Sequence, residues 1–191
     1  METLQEIHER IRKCRRCRLS ESRRNPVPGE GNEKAKVMFV GEAPGYWEDV
    51  KGRPFVGRAG KLLDTYLEDA GLRRKEVYIT NVVKCRPPQN RTPWKDEIEA
   101  CLPYLRKQIE LIDPSVIVTL GNTAGETVFR LYGLKWRGIT QEHGKIYRVS
   151  TVFGEKILLP MFHPAAVLRR RELGEEMRKG FARLGELIEQ L

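Results

Sequence analysis

The chain has 191 residues, 40% hydrophobic and 32% charged, with 35 Lys and Arg against 26 Asp and Glu for a formal net charge of +9. That size and balance suit one globular domain over residues 1–191. They exclude a disordered or membrane-embedded chain, since no apolar run approaches the ~20 residues that span a bilayer. The segment Met1–Glu6 carries no apolar signal region, so a cytoplasmic location is expected. The basic excess favours a polyanionic partner. Abundant Arg and Glu with few Asn and Gln point to a thermophile.

Thr3 and Glu6 form a capping box opening a helix with an apolar stripe of Leu4, Ile7 and Ile11 that ends at Cys14. Residues 18–34 are polar and rich in Gly, Pro and Asn, and read as loop. Four short apolar runs follow, Ala35–Val40, Val77–Val83, Val116–Leu120 and Ile157–Phe162. Each is near-continuous rather than alternating, the pattern of strands buried on both faces. Helical patterns separate them. Arg58–Ala70 carries Leu62, Leu63, Tyr66 and Leu67 and is closed by Gly71. The next helix starts with Thr92 as N-cap and Pro93 as first residue, with Ile98, Leu102, Leu105, Ile109 and Ile112 inward and a kink or a restart expected at Pro103. Asn122–Leu131 and an amphipathic stretch from Gly174 to Leu191 complete the helices, and Ile146–Val149 reads as a short edge strand. Strand–helix alternation predicts a three-layer α/β/α sandwich with a four-stranded, mostly parallel sheet. In such sheets ligands bind beyond the carboxyl ends of the strands. Those ends are Gly41–Gly45, Asn81–Arg86, Gly121–Asn122 and His163–Pro164.

The four cysteines are Cys14, Cys17, Cys85 and Cys101. The Cys14–Cys17 spacing is that of metal ligands, and all four fit one four-thiolate site for zinc or an iron–sulfur cluster. Arg15, Arg16, Arg18 and Arg86 stand beside them in sequence and would offset thiolate charge. Disulfides, a redox CxxC pair and inert buried thiols are the competing readings. Spacing alone does not separate zinc from iron–sulfur.

At the strand ends stand a carboxylate (Glu42), an amide (Asn81), an imidazole (His163) and, in the loop Gly52–Gly57, an aromatic ring (Phe55). Each has a structural reading: a helix cap, a backbone bridge, a packed histidine, a core phenylalanine. Together, at one edge of one sheet, they describe a pocket. Neither Gly41–Gly45 nor Gly57–Lys61 has the spacing of a phosphate-binding P-loop.

The motifs Gly41-Glu42-Ala43-Pro44-Gly45, Gly52-Arg53-Pro54-Phe55-Val56-Gly57, Thr80-Asn81-Val82-Val83-Lys84-Cys85 and His163-Pro164-Ala165-Ala166 resemble, in order and over nearly the whole chain, the family 4 uracil-DNA glycosylases. The resemblance implies a DNA-repair hydrolase that flips uracil from single- or double-stranded DNA and cuts its N-glycosidic bond without strand cleavage. It implies a [4Fe–4S] cluster on Cys14, Cys17, Cys85 and Cys101. Glu42 would activate water and stabilise the sugar cation, and Gly41 would shape the pocket. Phe55 would stack on uracil, Asn81 would read its edge, and His163 would hydrogen-bond O2. Leu168 would enter the duplex gap, and Arg169 and Arg170 would hold phosphates. Thymine exclusion falls by position to Tyr46 or Glu48. Glu42 distinguishes the chain from the family 5 enzymes, and the absence of histidine in Arg86–Pro93 from the covalently attaching type X proteins. A monomer is expected, and a sliding clamp is a candidate partner that no segment of the sequence singles out. The alternatives are a non-catalytic uracil- or DNA-binding protein with a four-Cys metal site, and an electron-transfer protein.

Overall fold

The computed structural model describes Met1–Leu191. Helix α1 (Leu4–Arg12) begins where the Thr3 side chain accepts the Glu6 N–H at 3.2 Å, one of the free donors of the first turn. The 18–34 segment, read as loop, contains a one-turn helix α2 (Leu19–Ser22) and a two-residue strand β1 (Glu30–Gly31). Then come β2 (Val37–Gly41), α3 (Tyr46–Lys51), α4 (Arg58–Asp69), β3 (Tyr78–Asn81), α5 (Lys95–Ile112) and β4 (Val116–Leu120). The chain ends with α6 (Asn122–Leu131), α7 (Ile139–Glu142), β5 (Tyr147–Thr151), β6 (Gly154–Met161), α8 (Pro164–Arg169) and α9 (Gly174–Glu189).

The sheet order is β1-β3-β2-β4-β6-β5. The four strands expected from the sequence are its centre and are mutually parallel. The sheet nevertheless has six strands, not four, and is mixed, because antiparallel β1 and β5 close its edges. A two-residue strand is too short to show a pattern. The edge strand expected at Ile146–Val149 is β5, displaced to Tyr147–Thr151 and paired with β6 as a hairpin.

Alternate strand residues feed two cores. Val37, Phe39, Val116, Val118, Ile157 and Leu159 pack with α4 and α9, where Leu63, Tyr66, Leu67, Phe181 and Leu184 repeat at helical spacing. Met38, Val40, Ile117 and Leu158 pack with Leu102, Leu105 and Ile109 of α5 and Val128 and Phe129 of α6. These are the three layers anticipated. Helix α5 differs in its start, since Trp94, not Thr92, is the N-cap. The Glu97 carboxylate reaches back to accept the Trp94 N–H at 2.7 Å and supplies the cap that selects this start. The helix also passes Pro103 without a break. Pro103 and Glu99 are both exposed, so water serves the carbonyl that proline leaves unbonded. No helix is long and apolar enough to cross a membrane.

Candidate active site

The carboxyl ends of the parallel strands open into a cleft of about 770 Å³, within the size range of small-molecule sites. Glu42, Phe55, Asn81, His163 and Arg169 all line it. The parallel register sets Gly41 of β2 beside Asn81 of β3. A Cβ on Gly41 would stand 2.5 Å from Asn81 Oδ1 and 2.6 Å from Phe55 Cζ, so only glycine lets the amide and the ring pack this close to the end of β2. Asn81 is 1% exposed, yet its Oδ1 has no hydrogen-bond partner. A buried acceptor left unpaired costs about 1–3 kcal/mol, which a ligand N–H would relieve. Its backbone carbonyl is held by Lys84 Nζ at 2.7 Å.

Phe55 sits at φ 49°, a left-handed conformation costly for an aromatic residue, and its ring stacks on His163 with centroids 5.5 Å apart. Two charged residues hold that backbone from opposite sides. Arg74 donates to the Pro54 and Phe55 carbonyls. Glu48 accepts the N–H groups of Val56 at 2.9 Å and Gly57 at 2.8 Å, and also that of Gly45 at 3.0 Å. Of the two candidates for thymine exclusion, Glu48 spends one oxygen on this loop and the other on the Gly45 N–H, while Tyr46 stands exposed at the cleft.

His163 caps α8, its Nδ1 accepting the Ala165 N–H at 3.0 Å. The ring proton is thereby placed on Nε2, as a donor. Burial, aided by the Arg169 charge, pushes its pKa down to about 4, so the imidazole is neutral near pH 7. Glu42 is half-buried, and its Oε2 accepts the Thr123 hydroxyl at 2.6 Å.

The four cysteines lie apart from this cleft and together line one small cavity, with Lys84, Arg16 and Tyr104. All four are free thiols, so the disulfide reading does not hold in this fold. Burial pushes Cys85 up to about 12 and Cys101 up to about 11. Of the neighbouring arginines named from sequence, Arg16 reaches the site, its backbone N–H lying 3.5 Å from Cys14 Sγ. Arg18 turns instead to Asp96 and Glu97, and Arg86 to Asn90. The role expected of them falls to Arg23, which donates to Cys85 Sγ at 3.5 Å and to the Cys14 carbonyl at 2.9 Å.

Residues 28–190 match the family model described as uracil DNA glycosylase superfamily. The chain is 51% identical over 188 residues to the type-4 uracil-DNA glycosylase of Archaeoglobus fulgidus, covering 98% of this chain and 94% of that protein. It is 49% identical over 170 residues to the type-4 enzyme of Thermotoga maritima, covering 89% and 85%. To the type-5 uracil-DNA glycosylase of Thermus thermophilus it is 33% identical, covering 72% of this chain and 68% of that one. The chain belongs to the type-4 uracil-DNA glycosylases.

In this family member the structure thus gathers Gly41, Glu42, Phe55, Asn81 and His163 at one cleft. Of the three residues expected at the DNA, Leu168 and Arg169 of α8 and the following Arg170, only Arg169 lines it. Leu168 is half-buried, and Arg170 is exposed and paired with Glu172 at 3.2 Å. Sequence reasoning missed Thr123, one residue beyond the strand end it named, and Arg74, which no motif marks. It also missed Lys84, although a lone lysine between Val83 and Cys85 in an apolar run was a signal of a buried, bonded amine.

Proposed function

We infer that the cleft removes uracil from DNA by hydrolysis of its N-glycosidic bond, with no strand cleavage. The observation that carries this reading is the unpaired, buried Asn81 Oδ1 in the wall of the cleft. There Oδ1 accepts uracil N3–H and the amide NH2 donates to O4. Cytosine presents an acceptor at N3 and a donor at C4, so the same amide repels it. A base inside a duplex does not reach a pocket of this kind unless flipped, and Phe55 offers the flipped ring an aromatic wall.

Bond breaking leaves positive charge on the sugar and negative charge on uracil. His163 Nε2–H donates to O2 and stabilises the developing anion without giving up its proton. The Glu42 carboxylate faces the sugar, offsets its cation and takes a proton from the water that adds at C1′, while uracil departs as an anion and is protonated by solvent. Thr123 fixes Glu42 Oε2, leaving Oε1 for water. No amine is required to form a covalent intermediate, so the abasic site stays intact.

We further propose that Cys14, Cys17, Cys85 and Cys101 hold a [4Fe–4S] cluster. The four thiols together line one small cavity, and the four-thiolate set is the one that the resemblance to family 4 assigns to such a cluster. Arg23 donates to Cys85 Sγ and the Arg16 N–H to Cys14 Sγ, and these donors would favour thiolate ligands. When bound, the group supplies a cross-link that ties the segment after α1 to the end of β3 and to α5.

The neutral His163 gives a pH prediction. An ordinary imidazole bends a pH–rate profile near 6.5. Here kcat for uracil release carries no His163 inflection near 6.5, and the first one from this group falls near pH 4. Because the folded pKa lies below the unfolded one, His163 also favours the folded state above pH 6.5, and that contribution is lost as pH falls from 6.5 toward 4. Single-turnover rates measured from pH 4 to 9 for the protein and for His163→Gln check the first, and denaturant midpoints over the same range the second; an inflection near 6.5 that vanishes in the variant contradicts the lowered pKa.

The function itself is tested with a labelled oligonucleotide carrying one uracil. Breakage only after alkali, and only with uracil present, is the expected result. Breakage without alkali overturns the absence of lyase chemistry, and no breakage at all overturns the enzymatic reading.

A further inference from the structure

Three of the largest exposed hydrophobic side chains are aromatic rings on one side of the cleft, Tyr46 at 46%, Trp47 at 53% and Trp94 at 51% exposure. Packing does not account for rings left this open, and they are not scattered. Trp47 meets Tyr46 edge-on at 5.0 Å. The Arg86 guanidinium lies over Tyr46 at 5.3 Å, and its Nε donates to Asn90 at 2.8 Å. The next residue, Arg91, lies over Trp94 at 3.9 Å, and Arg18 follows at 4.6 Å from the same ring. Rings and guanidinium groups thus stand against one another in two clusters joined through Asn90 and Arg91. Together they form a strip that starts at the cleft, which Tyr46, Trp47 and Arg91 line, and runs outward along the loop before α5.

The strip is also held in place. Glu97, wholly buried, receives Arg91 at 2.8 Å and Arg18 at 3.2 Å, which fixes both planes against Trp94. Ion pairing there lowers the net charge around Trp94, so the stacking surface rather than bulk charge distinguishes that end. Arg86 has no carboxylate partner and keeps its charge for a phosphate.

Mixed aromatic and guanidinium surfaces fit unpaired bases, whose faces stack on either and whose phosphates pair with the cations. Bases inside a duplex offer no such faces. We propose that this strip is a single-stranded DNA platform that stacks the unpaired nucleotides flanking the target base. The proposal rests on the uracil-release reading for the direction in which the strand enters the cleft, and its test needs no uracil.

Fluorescence anisotropy would follow a short labelled oligothymidylate, free of uracil, and a uracil-free duplex of matched length. Trp47→Ala and Trp94→Ala are each expected to weaken oligothymidylate binding by about 5- to 100-fold, and Trp47→Phe and Trp94→Phe to restore most of it. Duplex binding should change much less. Phe153→Ala, at an exposed hairpin tip far along the chain, serves as the control and should bind both as the unchanged protein does. Equal loss on single strand and duplex, or no loss in either alanine variant, overturns the platform. Protein that binds oligothymidylate through these tryptophans yet releases no uracil overturns the glycosylase reading and leaves the platform standing.

Discussion

Glu42→Gln lowers kcat for uracil release by about 10²- to 10⁴-fold, with affinity for uracil-containing DNA nearly kept. Glutamine fills the same space and still accepts the Thr123 hydroxyl, so the cleft keeps its shape and the base its contacts. What is lost is the charge that opposes the sugar cation and the base that receives the proton of water, both expressed only as the bond breaks. Thr123 provides a second lever on the same atom. Its hydroxyl donates to Glu42 Oε2 at 2.6 Å, and a hydrogen bond to a charged group is worth about 1.5–3 kcal/mol. Thr123→Val should therefore cost roughly tenfold or more in kcat, and Thr123→Ser should recover it. Single-turnover kinetics with saturating protein separate these effects from binding. A Glu42→Gln rate equal to that of the unchanged protein would remove Glu42 from the reaction.

The residues that were legible in advance share a property. Glu42, Asn81 and His163 stand at or just beyond the carboxyl ends of the central strands, where an α/β sheet exposes its ligands whatever the side chains are. The central parallel strands were legible because residues buried on both faces leave unbroken apolar runs, as Val37–Val40 and Val116–Leu120 do. The two edge strands were harder. β5 alternates half-buried and exposed residues, and β1 has only Glu30 and Gly31. What escaped the sequence were partnerships made across long separations. Arg74 reaches back to the Phe55 loop, Thr123 reaches Glu42, and Arg23 reaches Cys85. No local periodicity encodes these, because each depends on which loop the finished sheet brings alongside. The start of α5 failed for a related reason: Thr92-Pro93 carries the local signal, but Glu97 accepts from Trp94 and is itself fixed by Arg91 and Arg18, an arrangement that only the folded loop completes.

Removing the proposed cluster should have its largest effect on stability. The segment containing Cys14 and Cys17 joins the body through α1 and the cysteine cavity, and the other two thiols come from the end of β3 and from α5. Cross-linking Cys17 to Cys85 closes a long loop, worth roughly 4 kcal/mol in chain entropy. For a domain of this size that corresponds to a Tm lowered by roughly 10 °C. Metal-free protein would also keep the Cys85 and Cys101 thiols neutral, since burial holds Cys85 up to about 12 and Cys101 up to about 11. Cys101→Ser, and iron removal from the unchanged protein by chelation under oxidising conditions, should both lower Tm and expose the N-terminal segment to proteolysis. Visible absorbance, with iron and sulfide near four per chain, is the direct readout. Colourless protein with one zinc per chain overturns the cluster while leaving the cross-link argument intact; full stability with no metal overturns both. Uracil release should weaken alongside, because Lys84 lines the same cavity and holds the Asn81 carbonyl at 2.7 Å. Loosening the cavity wall releases the strand end that aims the Asn81 amide, so metal loss reaches the reading of the base without the group touching it.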